Sequence, residues 1–360
     1  MVLDSGDVFH MNNQAAESEG EQVKARTELF VKAFNKEGLS ALGIGDRDLG
    51  VLGVKGMLEV QKQAKFPVVC ANLVDKDGKD VFKPFTVVEA AGFKLGIVGV
   101  VTPGAEFKEK EEYKVLPPAD GLKKALDAVA KENVDAVILL AHLDQQDAVT
   151  LVRDVPGVDL ILGGQSMGQS RFVEKLGAAW WLESGQRGKF LSVVTLNMTA
   201  PGRKEFVVRE EADKLRSELK QIDDRVRRYA EMAARPGREG TRTADPERFK
   251  GVIESMLRQR EDLVAKAKNV VQAPADAPFL AYESVALDRN LREDEETAGW
   301  VGEHETKYPT AGGHGAVSRT TSGASVPGAP PARRIPHKAI KTLHDAGKVK
   351  AGTTPPQPGK

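Results

Sequence analysis

The segment Val134-Asp135-Ala-Val-Ile-Leu-Leu-Ala-His142 limits the fold more than any other part of this chain, because every residue from 136 to 141 is apolar. A strand with that pattern has no face to offer water, so it belongs inside a sheet with packed layers on both sides. Shorter apolar runs recur at residues 87–89, 94–100 (KLGIVGV), 159–162 (DLIL), 178–182 and 190–196. Over residues 21–34, 53–63, 121–132 and 144–152 the apolar positions recur instead at threes and fours, the spacing of helices with one buried face. Asp120 stands where an N-cap of the third helix would be. Strands alternating with helices predict a layered α/β body over residues 1–200.

After Pro201-Gly202 the pattern changes. Leu215, Leu219, Ile222, Val226, Tyr229 and Ala233 form a heptad seam on a charged helix, and Phe249, Ile253, Met256, Leu263, Ala267 and Val270 form a second. The Pro and Gly residues between them predict an antiparallel helical hairpin over 203–270, with Arg260 interrupting the second seam. The seams can bury each other within one chain or serve as a surface for a protein partner. Residues 271–310 read as a short extension in which 279–287 (FLAYESVAL) forms a strand. Residues 311–360 are rich in Gly, Ser, Thr, Pro and basic residues without periodicity, a composition expected to stay disordered.

Composition narrows the function classes. Lys plus Arg (52) equals Asp plus Glu (52), so no global field favours nucleic acid or an acidic membrane. The single cysteine, Cys70, excludes an intrachain disulfide and a Cys-rich zinc site, and the absence of Cys-x-x-Cys-His excludes c-type haem. No run approaches the roughly 20 apolar residues of a membrane span, and the N-terminus lacks the pattern of a signal peptide. Met1-Val-Leu-Asp4 reads as the end of a buried strand, from which a missing preceding segment is expected.

Two-metal phosphoester hydrolysis needs hard oxygen and imidazole ligands on loops at the carboxyl ends of strands, where two cations clamp a phosphate and acidify a water. Leu3-Asp4-Ser5-Gly6-Asp7 offers a carboxylate just past a strand, and His142 ends the apolar run. Downstream stand Gly43-Ile44-Gly45-Asp46-Arg47-Asp48-Leu49-Gly50, Phe66-Pro-Val-Val-Cys-Ala-Asn72-Leu73, Gly92-Phe-Lys-Leu-Gly-Ile-Val-Gly-Val-Val-Thr102, Val158-Asp-Leu-Ile-Leu-Gly-Gly164-Gln165-Ser-Met167 and Gly185-Gln-Arg-Gly188-Lys-Phe-Leu191. In this order and spacing, the segments resemble the catalytic domain of the 5′-nucleotidase branch of the calcineurin-like metallophosphoesterases. The Phe66 to Leu73 stretch is the most specific match.

That resemblance implies a four-layer β-sandwich flanked by helices, followed here by the hairpin and the tail. It also implies that Asp7 is the carboxylate bridging two metals and that His142 is a ligand, with Gln165 a third through its amide oxygen. Asp46 and Asp48 would support the ligands from behind. The departures are as informative. Ile44 and Gly45 stand where the family has a metal-binding Asn and the catalytic His, Gln165 and Met167 replace two ligand histidines, and the family's Asp-x-His element is absent. The ligand set implies a divalent metal (Mn, Zn or Mg) held weakly, and hydrolysis of a nucleotide or other phosphate ester weakened or lost. The alternative is a non-catalytic scaffold, by analogy with relatives fused to multihaem cytochromes a neighbour of an electron-transfer partner. The resemblance further implies a periplasmic or exported setting.

Overall fold

The computed structural model describes residues 1–10, 20–165, 170, 173–185, 188–199, 202, 205–208, 212–234, 246–268, 278–287 and 291–309. In chain order the elements are β1 (Leu3–Asp4), α1 (Gly20–Glu37), β2 (Ala41–Leu42), α2 (Asp46–Gln63), β3 (Leu73–Asp75), β4 (Phe85–Ala90), β5 (Phe93–Val101), β6 (Tyr113–Val115), α3 (Pro118–Val129) and β7 (Ala136–His142). There follow α4 (Gln145–Asp154), β8 (Leu160–Gly163), β9 (Glu174–Leu176), β10 (Ala179–Glu183), β11 (Phe190–Asn197), β12 (Val207–Val208), α5 (Ala212–Ala234), α6 (Pro246–Lys268), β13 (Phe279–Ala286) and α7 (Glu295–Lys307).

The main sheet has the order β4-β5-β7-β8-β10-β9, and its four inner strands run parallel. All seven residues of β7 are buried, as its unbroken apolar run requires. On one face Val137, Leu139, Ile161 and Trp181 pack against Leu122, Ala125 and Val129 of α3 and Ala148 and Leu151 of α4. On the other, Ile97, Ile138, Leu140 and Leu182 meet a second sheet, β11-β13-β12, through Phe206, Leu280, Val194 and Tyr282. The parallel pair β1-β2 lies in this second layer. Ala41 faces the main sheet, while Leu42 turns the other way into a core shared with α1 and α2 that contains Phe9, Ile44, Met57 and Val68. The result is a helix, sheet, sheet, helix sandwich. At about 1.5–3 kcal/mol for each large apolar side chain buried, these three cores supply the main driving force for the fold.

The structure moves several sequence-based boundaries. The third helix starts at Pro118, and Asp120 lies inside its first turn as a favourable negative charge near the helix N-terminus, not as the N-cap. At α4, Asp144 fills that capping role by accepting from the Asp147 amide. Residues 66–72 form only isolated bridges, Leu42 to Val68 and Val69 to Lys83, although Phe66, Val68, Val69 and Cys70 are buried as a strand's would be. Helix α2 begins seven residues before the predicted start, at Asp46, and breaks at Gly53 (φ 68°), the position where the apolar periodicity begins.

Helices α5 and α6 bury Leu215, Ile222, Met256 and Leu263 against one another. Their contacts run antiparallel: Tyr229 stacks near Phe249 at 6.0 Å and Asp223 pairs with Arg260 Nε at 2.7 Å. Arg260 thus leaves the seam it interrupts to meet a carboxylate at its edge. Strand β13 pairs with β11 along its whole length, so residues 279–286 are integral to the second sheet. Met167, Gln186, Arg187, Val270 and the 311–360 tail lie outside the described residues. Among the described residues, no helix is long and apolar enough to cross a membrane.

Candidate metal centre

Parallel strands deliver their carboxyl ends to one edge of a sheet, and ligand sites gather there. Here β1 ends at Asp4, β2 at Leu42, β7 at His142 and β8 at Gly163; Asp7 and Gln165 lie on loops that follow, and Asp46 opens α2 just after β2. Two of these loops touch directly. Gly6 (φ 104°) and Asp7 (φ 62°) both adopt left-handed backbone, and a Cβ on Gly6 would lie 2.4 Å from the Gly45 amide nitrogen. Only glycine allows that approach.

Asp48 locks the loops together. Its fully buried carboxylate accepts from the amides of Asp7 (2.8 Å), Gly45 (3.1 Å) and Phe9 (3.4 Å), linking the β1 loop to the first turn of α2. Burial, reinforced by the nearby Asp7 charge, pushes its pKa up to about 7 against the lowering effect of the amides. Burial likewise raises Asp4, whose carboxylate accepts from the Gly6 amide, to about 6.

His142, Asp46 and Asp7 meet at the centre. His142 is fully buried, and its Nε2 lies 2.8 Å from Asp46 Oδ1 and 3.3 Å from Asp7 Oδ2. Burial opposes its charged form, but the hydrogen bonds and charges of the two aspartates outweigh this and hold its pKa up at about 9. The hydrogen bond from His142 draws the Asp46 carboxyl below its usual range. His142 Nδ1 is buried on the Gly164 side with no hydrogen-bond partner among the described residues, about 3.0 Å from where a Cβ on Gly164 would be. Gln165 follows that glycine in the chain.

These donors fit a divalent cation. One ligand atom from each of Asp7, Asp46 and His142 lies within 4.8 Å of the others. Donors about 2.1 Å from one ion at right angles stand roughly 3 Å apart, close to the two His142 spacings. Two carboxylates and an imidazole form a hard to borderline set suited to Mg, Mn or Zn. Sequence reasoning placed Asp46 behind the ligands; here it both orients His142 and belongs to the donor trio. The Asp48 carboxylate does not join the trio and accepts instead from the backbone amides of Asp7 and Gly45.

Two features were missed. Arg47 had no role in the sequence reading, yet its amide donates to Asp7 Oδ1 (2.9 Å) and its Nε lies 3.4 Å from Asp7 Oδ2. The signal was available: a basic residue directly follows Asp46, where the resembled motif has Phe. Gly45 is more than a missing histidine, since a Cβ there would lie 2.0 Å from Asp7 Oδ1. Ile44, at the resembled Asn position, is buried in the core under α2.

No protein-family model matches the chain. Among curated proteins it is similar to a 5′-nucleotidase of Diplobatis ommata, 26% identical over 182 residues covering 46% of this chain and 29% of that protein. It is also similar to the uncharacterized metallophosphoesterase YunD of Bacillus subtilis, 26% identical over 165 residues covering 45% of this chain and 34% of that one. The chain therefore spans about a third or less of these relatives' own length. Among solved structures, the calcineurin-like phosphoesterase YfkN from Bacillus subtilis superposes with a TM-score of 0.52 at 14% identity, over 85% of this chain and 82% of that chain, a likeness of fold.

Proposed function

The N-terminal half of this chain is related to the 5′-nucleotidase branch of the calcineurin-like metallophosphoesterases, and from that premise we propose that it holds one divalent cation at Asp7, Asp46 and His142, with hydrolysis of nucleotides or other phosphate esters weakened or lost. The observation that carries this reading is position 45. The residue where the family has its catalytic histidine is a glycine, and the space its side chain would fill is occupied by the Asp7 carboxylate.

A cation bound there would act as a Lewis acid on a phosphoryl oxygen and lower the pKa of a bound water. The chain's own residues supply the setting. Asp48 fixes the Asp7 and Gly45 amides, Asp46 orients the His142 ring, and burial keeps water away from the imidazole. Gln165, two residues past β8, is a further candidate ligand through its amide oxygen. No imidazole stands at position 45 to protonate a leaving group, and without general acid help turnover falls by a typical factor of roughly 10²–10⁴.

The same position favours a second reading, a binding protein that keeps the fold and offers the α5–α6 hairpin to a partner, an electron-transfer protein among the candidates. The family's export would place either form in the periplasm or outside the cell. Elemental analysis of the purified protein after incubation with manganese and zinc, beside the Asp7→Ala/His142→Ala double variant, tests the primary reading. One metal per chain, lost in the variant, with slow turnover of nucleotides or p-nitrophenyl phosphate, is the expected result. A protein without metal in either form leaves only the binding reading.

A further inference from the structure

Asp7 is already crowded. A carboxylate offers about four lone-pair sites, and three donors already face the one on Asp7, one in a hydrogen bond and two at ion-pair distance. Oδ1 accepts the Arg47 amide at 2.9 Å, while Oδ2 faces both His142 Nε2 at 3.3 Å and Arg47 Nε at 3.4 Å. A metal ion placed between Asp7 Oδ2 and His142 Nε2 would replace the histidine contact. A second ion on the same oxygen would have to displace the guanidinium.

Arg47 is well placed to stay. It is in the first turn of α2, its amide is fixed by the same carboxylate, and its side chain is 38% exposed against 8% for Asp7, so the guanidinium lies between the buried acid and solvent. Its charge is permanent and cannot be shed to admit another cation.

We infer that Arg47 is a cation built into the site: it occupies the second position on Asp7, limits the centre to one divalent ion, and weakens the binding of that ion. The inference rests on the reading of Asp7 as a ligand. It assigns to an arginine the neutralising role that a second metal would otherwise have, and it makes the single-ion state a property of this chain's own residue.

The experiment is titration calorimetry of Mn²⁺ into the full chain as wild type, Arg47→Met and Arg47→Lys. The Met variant keeps the stem without the charge and should bind Mn²⁺ at least about tenfold more tightly, the least expected from removing a unit charge beside a divalent ion. The Lys variant keeps the charge and should stay within about threefold of wild type. Adding Asp7→Ala to the Met variant should abolish the gain. If the Met variant melts well below wild type, Arg47→Gln replaces it in the same titration.

Equal affinity in wild type and Met variant, a Lys variant that matches Met, a gain that survives Asp7→Ala, or no binding by any variant would each overturn the inference. Metal content of the wild type tests the proposed function separately. A wild type without metal beside a Met variant that binds would refute the proposed single-ion state of the wild type, and would leave standing only that the Arg47 charge opposes cation binding at Asp7.

Discussion

Replacing Asp48 with alanine tests whether one buried carboxylate joins the two loops of the centre. Three amides, those of Asp7, Gly45 and Phe9, lose their acceptor. A buried donor left unsatisfied costs about 1–3 kcal/mol, and since the Phe9 contact is long at 3.4 Å, two full bonds are the fair count. The lost bonds cost roughly 2–6 kcal/mol. Against that, alanine removes a carboxylate that burial and the Asp7 charge both disfavour in its ionised form. The expected net loss is about 2–4 kcal/mol, within the usual range for breaking a buried hydrogen-bond network.

Asparagine separates the two contributions. Its amide oxygen can keep both short bonds, which end on one carboxylate oxygen, and it carries no charge, so Asp48→Asn should lose no more than about 1 kcal/mol. Urea unfolding at pH 7, followed by fluorescence of Trp180, Trp181 and Trp300, gives the three stabilities. If alanine and asparagine both fall within about 0.5 kcal/mol of wild type, the range of a surface substitution, then water satisfies these amides and Asp48 is not the tie proposed for it.

Gly45→Ala should destabilise by about 1–3 kcal/mol, the range for overpacking a filled site, because its Cβ would lie 2.0 Å from Asp7 Oδ1 and 2.5 Å from the Asp7 amide nitrogen. A neutral result in thermal melts would show that the loops part easily. Burial first, and Arg26 second, lower the pKa of His10 to about 4. This lies below its ordinary 6.5, so the unfolded chain binds a proton that the folded one rejects. The His10 contribution is complete above pH 6.5 and is lost as pH falls toward 4. His10→Gln should therefore show a smaller drop in melting temperature between pH 7.5 and 5 than wild type, and equal drops would remove His10 from the account. Helix α7 is held on α1 by Lys32 Nζ at 3.7 Å from the Trp300 ring and by ion pairs from Lys36 to Asp294 and Glu296. Trp300→Ala should weaken that docking by about 0.5–1 kcal/mol and speed proteolysis after residue 291, more so in high salt; an unchanged cleavage rate would count against it.

Strand composition was readable from the chain alone, because burial on two faces leaves a signature that local sequence cannot hide. The run at 136–142 announced a central strand, those at 94–100 and 159–162 its two neighbours, that at 178–182 the next strand of the same sheet, and that at 190–196 a strand of the second sheet. The order of residues around Asp7, Gly43 to Gly50, Phe66 to Leu73 and His142 was enough to point to the fold, since a loop motif keeps its glycines wherever the backbone must turn. Boundaries were less legible. Whether Asp120 or Pro117 precedes a helix depends on a few tenths of a kcal/mol, within reach of any tertiary contact.

The composition of the centre was only half written in the sequence. Asp7 and His142 are 135 residues apart by their numbers and were singled out from their places at strand ends. That Asp46 would close on His142, that Arg47 would lie against Asp7, and that Gly45 would leave no room for a side chain could not be read from spacing. The first joins residues 96 apart in sequence, and the other two depend on two loops nearly 40 residues apart approaching to backbone contact through Gly6 and Asp48. Periodicity reports which face of an element meets the core, since that preference repeats along the chain. The distance between two loop tips repeats nowhere in the sequence and is set only when the sheet has brought its strand ends to one edge.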